Sequence, residues 1–271
     1  MMCFAFWAAA VMLLILFLVQ PGRVSPQQEK PFRGRCYAHR GLYQKDQSIP
    51  ENSLAAFAAA AEAGYGMELD VQLSKDGAVV VFHDDTLNRV TGIKGRVDEY
   101  TLEQLQKMPL CGTEHTMPLF KDVLACVAGR TPLIVELKSG RRNRELCQKT
   151  LALLREYEGV FCVESFDPVI VGWFKRNAPD ILRGQLADSY KGYPHNPLAF
   201  LLSRCMGNWV SRPQFIAWGP RKKNVLVKLA ESFGPMKVFW TAHDDEIHPH
   251  EELKQEYDAI IFEHYTPDTQ Y

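Results

Sequence analysis

Met67-Glu68-Leu69-Asp70-Val71-Gln72-Leu73-Ser74-Lys75-Asp76-Gly77-Ala78-Val79-Val80-Val81-Phe82-His83-Asp84 is the stretch on which the fold turns. It holds two apolar runs joined by Ser74-Lys75-Asp76-Gly77. That joint is too short for a parallel crossover, and Asp-Gly is a hairpin signal. The second run, 78–82, is therefore expected to fold back on the first as a β-hairpin arm. Pairing across the turn sets Asp70 near Phe82 and Leu69 near His83. Side chains alternate faces along a strand, so Glu68 and Asp70 point one way and Met67, Leu69 and Val71 the other. The arm returns His83 to the place where the two carboxylates stand.

The same pattern recurs. Cys36-Tyr37-Ala38 leads into His39-Arg40-Gly41, and Pro132-Leu133-Ile134-Val135 ends in Glu136-Leu137-Lys138. A charge at the end of an apolar strand is costly if packing is its only purpose. It suits the wall of a site.

Working outward, strands are predicted at 36–38, 67–71, 133–137, 161–165, 181–186, 215–218, 237–241 and 259–262. Helical patterns fall between them. Ser53 caps 54–63, Thr101 caps 102–108 with Gln104 closing a capping box, and 143–157, 168–177, 222–232 and 250–257 follow. Alternating strands and helices give a mostly parallel sheet. Eight such strands in about 240 residues fit a closed (β/α)₈ TIM barrel, with the arm at its C-terminal rim. A doubly wound sheet would call for a phosphate-binding glycine-rich turn, and no G-x-G-x-x-G or Walker sequence is present.

The chain has 271 residues, with 46% hydrophobic and 23% charged residues and a net charge of −1. That balance is ordinary for a globular protein. No basic stripe with interleaved aromatics favours nucleic acid, and no protein partner is indicated. The seven cysteines are scattered and odd in number, without Cys-x-x-Cys, and read as reduced thiols. Residues 1–19 carry no charge, and a run of about 18–20 apolar residues just spans a bilayer. The expectation is a single transmembrane anchor over 1–20, a linker over 21–34 and one catalytic domain over 35–271. The absence of early Lys or Arg argues against a cleaved leader. Arg23, Lys30, Arg33 and Arg35 follow the span, which places the barrel in the cytoplasm.

Glu68, Asp70 and Glu136 converging with no cysteine nearby would repel one another without a cation between them. An isolated Glu-x-Asp in a strand reads more simply as salt-bridged or solvated; three carboxylates beside two histidines do not. Hard oxygen ligands suit one divalent cation, Mg²⁺ or Ca²⁺. Histidine as a residue type titrates near neutrality, so His39 and His83 offer a general acid and a general base. Arg40 and Lys138 offer positive charge to phosphate oxygens. His115, His195, His248 and His250 lie in polar, turn-rich stretches and read as solvated.

With His39-Arg40-Gly41, Pro50-Glu51-Asn52-Ser53, Glu68-Leu69-Asp70-Val71, His83-Asp84, Val135-Glu136-Leu137-Lys138, Ser165-Phe166 and Trp240-Thr241 in this order, the sequence resembles the glycerophosphodiester phosphodiesterases. The resemblance runs from about Arg35 to the C-terminus and implies a (β/α)₈ barrel. It implies hydrolysis of small glycerophosphodiesters to an alcohol and glycerol 3-phosphate with a divalent cation. It matches Glu68, Asp70 and Glu136 to metal ligands, His39 and His83 to the acid/base pair, and Arg40 and Lys138 to phosphate contacts. Glu51 matches a glutamate near the metal or the glycerol, and Trp240 a pocket aromatic. Two departures stand out: Trp240-Thr241-Ala242-His243 replaces Trp-Thr-Val-Asn, and Glu263-His264-Tyr265 replaces a Thr-Asp followed by proline. The last is expected to alter the substrate side of the rim. Lysophospholipase D chemistry on lysophospholipids is the alternative, and an inactive lipid-binding or scaffold barrel the alternative of another class.

Overall fold

A computed structural model describes residues 2–193, 196–219, 221–245 and 247–271. Nine strands form one sheet: β1 (Arg35–Ala38), β2 (Gly66–Leu73), β3 (Val79–Val81), β4 (Leu133–Leu137), β5 (Phe161–Ser165), β6 (Arg183–Ala187), β7 (Phe215–Trp218), β8 (Met236–Ala242) and β9 (Ala259–Phe262). Eight of them run parallel, and β1 pairs with both β9 and β2, which closes the barrel. β3 is the exception. It pairs antiparallel with β2, Val71 opposite Val81, and Phe82 N–H donates to the Asp70 carbonyl at 2.9 Å. The hairpin arm is thus present in the register its turn implies.

The helices are α1 (Met2–Val19), α2 (Pro26–Glu29), α3 (Leu54–Glu62), α4 (Asn88–Thr91), α5 (Leu102–Leu105), α6 (Phe120–Val127), α7 (Asn143–Arg155), α8 (Pro168–Asn177), α9 (Ala199–Leu202), α10 (Asn208–Ser211), α11 (Val225–Glu231) and α12 (His250–Glu256). Ser53 caps α3 by accepting from Ala56 N–H, and Thr101 and Gln104 form the capping box of α5. β6 begins two residues later than its apolar run because Ile181 and Leu182 form the buried turn before it. α6 was not expected from the sequence. It has no side-chain N-cap bond and is held by packing of Phe120, Val123 and Val127 in the shell between barrel and helices.

Alternation sorts the strand residues into two layers. Met67, Leu69, Val71, Leu133, Val135 and Leu137 face the helices. Tyr37, Ile134, Cys162, Phe215, Met236 and Ala259 fill the barrel floor. Gly184 is required there, since a Cβ would stand 2.0 Å from the Phe215 ring. Above that apolar floor the inward positions become Glu68, Asp70, Glu136 and Glu164.

Two expectations about the N-terminus change. Among the described residues no helix is long and apolar enough to cross a membrane. α1 has 18 residues, a rise of about 27 Å against a hydrocarbon core of about 30 Å. Its last turn is also committed to the barrel. Val19 is buried, its carbonyl accepts from Asn208 Nδ2 at 2.7 Å, and the Arg212 guanidinium sits over the Phe17 ring. Second, the stretch read as a linker is ordered against the barrel base. Ser25 and Gln28 cap α2, Gly22 N–H donates to the Pro213 carbonyl, and Phe32 is buried beside Tyr37.

Candidate active site

The site lies where the parallel strands end. In register, Asp70 on β2 stands opposite Glu136 on β4, and Glu136 opposite Glu164 on β5. Glu68 is one alternation below Asp70. Glu68, Asp70 and Glu136 are all buried, and each offers an oxygen within 4.8 Å of the others. Burial and the neighbouring Asp70, Glu136 and Glu164 push the Glu68 carboxyl well up. Burial also raises Glu136, against the pull of Lys138. Burial would raise Asp70 too, but Lys138, His83 and Arg40, with the Asn52 amide, hold it low.

Lys138 Nζ lies 2.8 Å from Glu136 Oε1 and 3.2 Å from Asp70 Oδ1. The second contact is off the hydrogen-bond direction, and Asp70 Oδ1 has no donor. A buried, all-oxygen cluster with such an orphaned oxygen fits a hard divalent cation.

The turn after β1 delivers His39 and Arg40. Arg40 has φ of 56°, and Gly41 follows at φ 81°, where a Cβ would stand 2.9 Å from Ala56. This left-handed pair aims the Arg40 N–H at Glu68 Oε2, 3.1 Å away. Its guanidinium donates to Glu51 Oε1 at 2.7 Å. Glu51 also accepts from Arg89 Nη1 and Nη2 at 2.8 and 2.7 Å. Both oxygens of Glu51 are therefore engaged by guanidinium groups. Glu51 thus holds Arg40 in position.

His39 Nε2 is 3.9 Å from Glu68 Oε2, and its Nδ1 is 2.8 Å from Glu263 Oε2. Burial and Arg40 lower the His39 pKa. His83 Nδ1 is 2.6 Å from Asp84 Oδ1, and Asp84 accepts from Arg89 Nε at 2.7 Å. His39, Arg40, Glu68, His83, Glu136 and Glu164 line one cavity of about 40 Å³, together with Phe166, Leu186, Trp240 and Ile261. Trp240 stacks edge-on against Phe166 at 5.5 Å and donates to the Ala217 carbonyl.

Four groups at the site went unassigned in the sequence. Asn52 Nδ2 donates to Asp70 Oδ2 at 2.8 Å. Arg89 ties Asp84 to Glu51. Glu164 is fully buried with Oε2 unpaired, and burial and Glu136 push its carboxyl well up. Counting inward positions along β5 would have found it. Glu263 stands beside His39 Nδ1, and no local signal announced that contact. Away from the site, His250 is buried rather than solvated, its Nδ1 2.8 Å from Tyr265 OH, because α12 packs it against β1. His195 lies outside the described residues.

A closed parallel barrel with its ionisable groups gathered at the strand ends defines a (β/α)₈ barrel whose active site is built at the C-terminal rim. Residues 39–266 match the glycerophosphoryl diester phosphodiesterase family, and the chain belongs to it. It is 34% identical over 177 residues to a glycerophosphodiester phosphodiesterase of Bacillus altitudinis, covering 62% of this chain and 66% of that one. It is 29% identical to the human lysophospholipase D GDPD3, covering 73% of this chain and 60% of that one. The matched stretches thus fall somewhat short of two thirds of these curated relatives. The fold is shared with a glycerophosphodiester phosphodiesterase of Thermotoga maritima, at TM-score 0.64 and 25% identity over 84% of this chain and 93% of that one. It is also shared with an Oleispira antarctica phosphodiesterase solved with its product sn-glycerol-3-phosphate, at TM-score 0.68 and 23% identity over 85% and 93%.

Proposed function

We propose that this chain hydrolyses glycerophosphodiesters to an alcohol and glycerol 3-phosphate. One observation carries the reading: three buried carboxylates lie within 4.8 Å of one another, two of them, Glu68 and Glu136, line one cavity with His39, His83 and Arg40, and Lys138 stands 2.8 Å from Glu136. Glu68, Asp70 and Glu136 would hold a divalent cation, Mg²⁺ or Ca²⁺, which when bound supplies Lewis acidity at a phosphoryl oxygen. Arg40 and Lys138 bind the remaining phosphate charge. Of His39 and His83, one takes the proton of the attacking hydroxyl as the new O–P bond forms. The other gives a proton to the departing alkoxide as the old P–O bond breaks. The attacking hydroxyl is water or the neighbouring hydroxyl of the substrate glycerol; the second route passes through a cyclic phosphate that water then opens. The sequence carries all five of these metal and acid/base side chains, which argues against an inactive scaffold.

The apolar flank of the cavity, Phe166, Leu186, Trp240 and Ile261, favours a second substrate class, lysophospholipids. Choline release from glycerophosphocholine and from lysophosphatidylcholine, by metal-stripped protein with Mg²⁺ or Ca²⁺ restored, tests both. No release from either with either cation rejects the reading.

We also propose that the enzyme works at a membrane face. α1 is uncharged on every side and exposes Phe6, Trp7, Leu13 and Leu14. A helix apolar all round belongs in an apolar medium. The cysteines described as unpaired, Cys36 among them, suit the cytoplasmic side. Co-sedimentation with lipid vesicles should be lost when residues 2–14 are deleted; equal binding by the shortened chain rejects it.

A further inference from the structure

We propose that Glu263 is a positioning residue of the reaction, holding the His39 imidazole in the tautomer that presents an unprotonated Nε2 to the reacting centre. The inference rests on the phosphodiester chemistry proposed above and adds a residue to it.

The geometry is specific. His39 Nδ1 and Glu263 Oε2 are 2.8 Å apart. A carboxylate only accepts hydrogen bonds, so the hydrogen must sit on Nδ1. Glu263 is ionised: burial opposes this, but His39 and Tyr43 hold its carboxyl down to about 2. A neutral imidazole with its hydrogen on Nδ1 has a free lone pair on Nε2. That nitrogen is the one facing the carboxylate cluster, 3.9 Å from Glu68 Oε2.

Glu263 is itself fixed. Tyr43 OH donates to the same Oε2 at 2.7 Å. His243 Nε2 and His264 Nε2 stand 3.5 and 3.9 Å from Oε1. His243 and Glu263 both fall where the chain departs from the motif it otherwise follows. The departures therefore sit together behind one catalytic imidazole. The arrangement parallels His83, whose Nδ1 is 2.6 Å from Asp84 Oδ1. Each histidine thus has a carboxylate behind Nδ1. The two supports differ in charge, since Arg89 grips Asp84 directly while Tyr43 and histidines hold Glu263. A residue that orients a ring and fixes its tautomer acts on turnover more than on binding.

The test uses the full chain with added Mg²⁺ or Ca²⁺ and glycerophosphocholine. Glu263→Gln, whose amide can donate to Nδ1 and reverse the tautomer, is expected to lower kcat about 100-fold while KM moves less than threefold. The melting temperature should stay put. Nitrogen-15 imidazole spectra should show the Nδ1–H tautomer at His39 in wild type and lose it in the variant. Tyr43→Phe, which keeps the carboxylate but removes one donor, should cost about fivefold in kcat and serves if Glu263→Gln does not fold. A kcat within threefold of wild type in Glu263→Gln, or an Nε2–H tautomer at His39 in the wild type, overturns the proposal. A wild type that turns over no diester rejects the underlying chemistry instead, and the spectra still decide the tautomer.

Discussion

Lys138, the first residue past β4, and Glu136, near the strand's end, form an ion pair of 2.8 Å inside the carboxylate cluster. The ammonium also leans toward Asp70. Its pKa is raised: burial would lower it, but Glu136 and Asp70 outweigh that. Lys138 is thus a fixed positive charge at the edge of the carboxylate cluster.

Lys138→Met keeps the aliphatic stem and removes the charge. It should cost about 100-fold in kcat/KM, the scale of losing one preorganised electrostatic contact to a transition state. Steady-state kinetics on glycerophosphocholine measure this. A loss under threefold would place the phosphate elsewhere.

His39→Ala and His83→Ala should each reduce turnover by about 10²–10⁴-fold with the fold retained, because each removes a proton-transfer group. Near-wild-type rates in either variant, at an unchanged far-ultraviolet dichroism spectrum, would remove that imidazole from the reaction.

Cation binding should stabilise the protein more at pH 8 than at pH 5.5. The Glu68 carboxyl is raised in the metal-free chain. Its contribution to stability is full below the ordinary carboxylate range and is lost as pH rises and the crowded cluster ionises. A cation relieves that repulsion and must displace the Glu68 proton at lower pH. At a concentration 100 times its dissociation constant, a cation contributes about 2.7 kcal/mol. Melting curves with and without Mg²⁺ or Ca²⁺ give the comparison, and an equal increment at both pH values would contradict it.

Phe32→Ala should destabilise the chain by about 3–5 kcal/mol, the cost of emptying a buried aromatic site. Phe32 plugs the barrel floor beside Tyr37, whose hydroxyl donates to the Phe32 carbonyl. Chemical denaturation measures it. A loss below 1 kcal/mol would mean that residues 21–34 are a loose tether after all.

Much of the architecture was legible in the chain because its signals are local. A two-residue period assigns Glu68 and Asp70 to one face and Leu69 to the other, whatever the rest of the chain does. Asp76-Gly77 forces the hairpin that brings His83 back to β2. Capping residues mark α3 and α5. The family membership follows from the same short motifs in order.

Tertiary structure alone decided the contacts between elements far apart in sequence. Glu263 reaches His39 only because β9 closes the barrel against β1. Glu51 became an anchor for Arg40 while α4 brings Arg89 onto the same carboxylate. Val19 and Phe32 became barrel residues because the helices around β6 and β7 and the barrel floor receive them. Periodicity fixes which way a side chain points from its own backbone. Which partner it meets depends on closure and register, and these are set by the packing of the whole barrel at once.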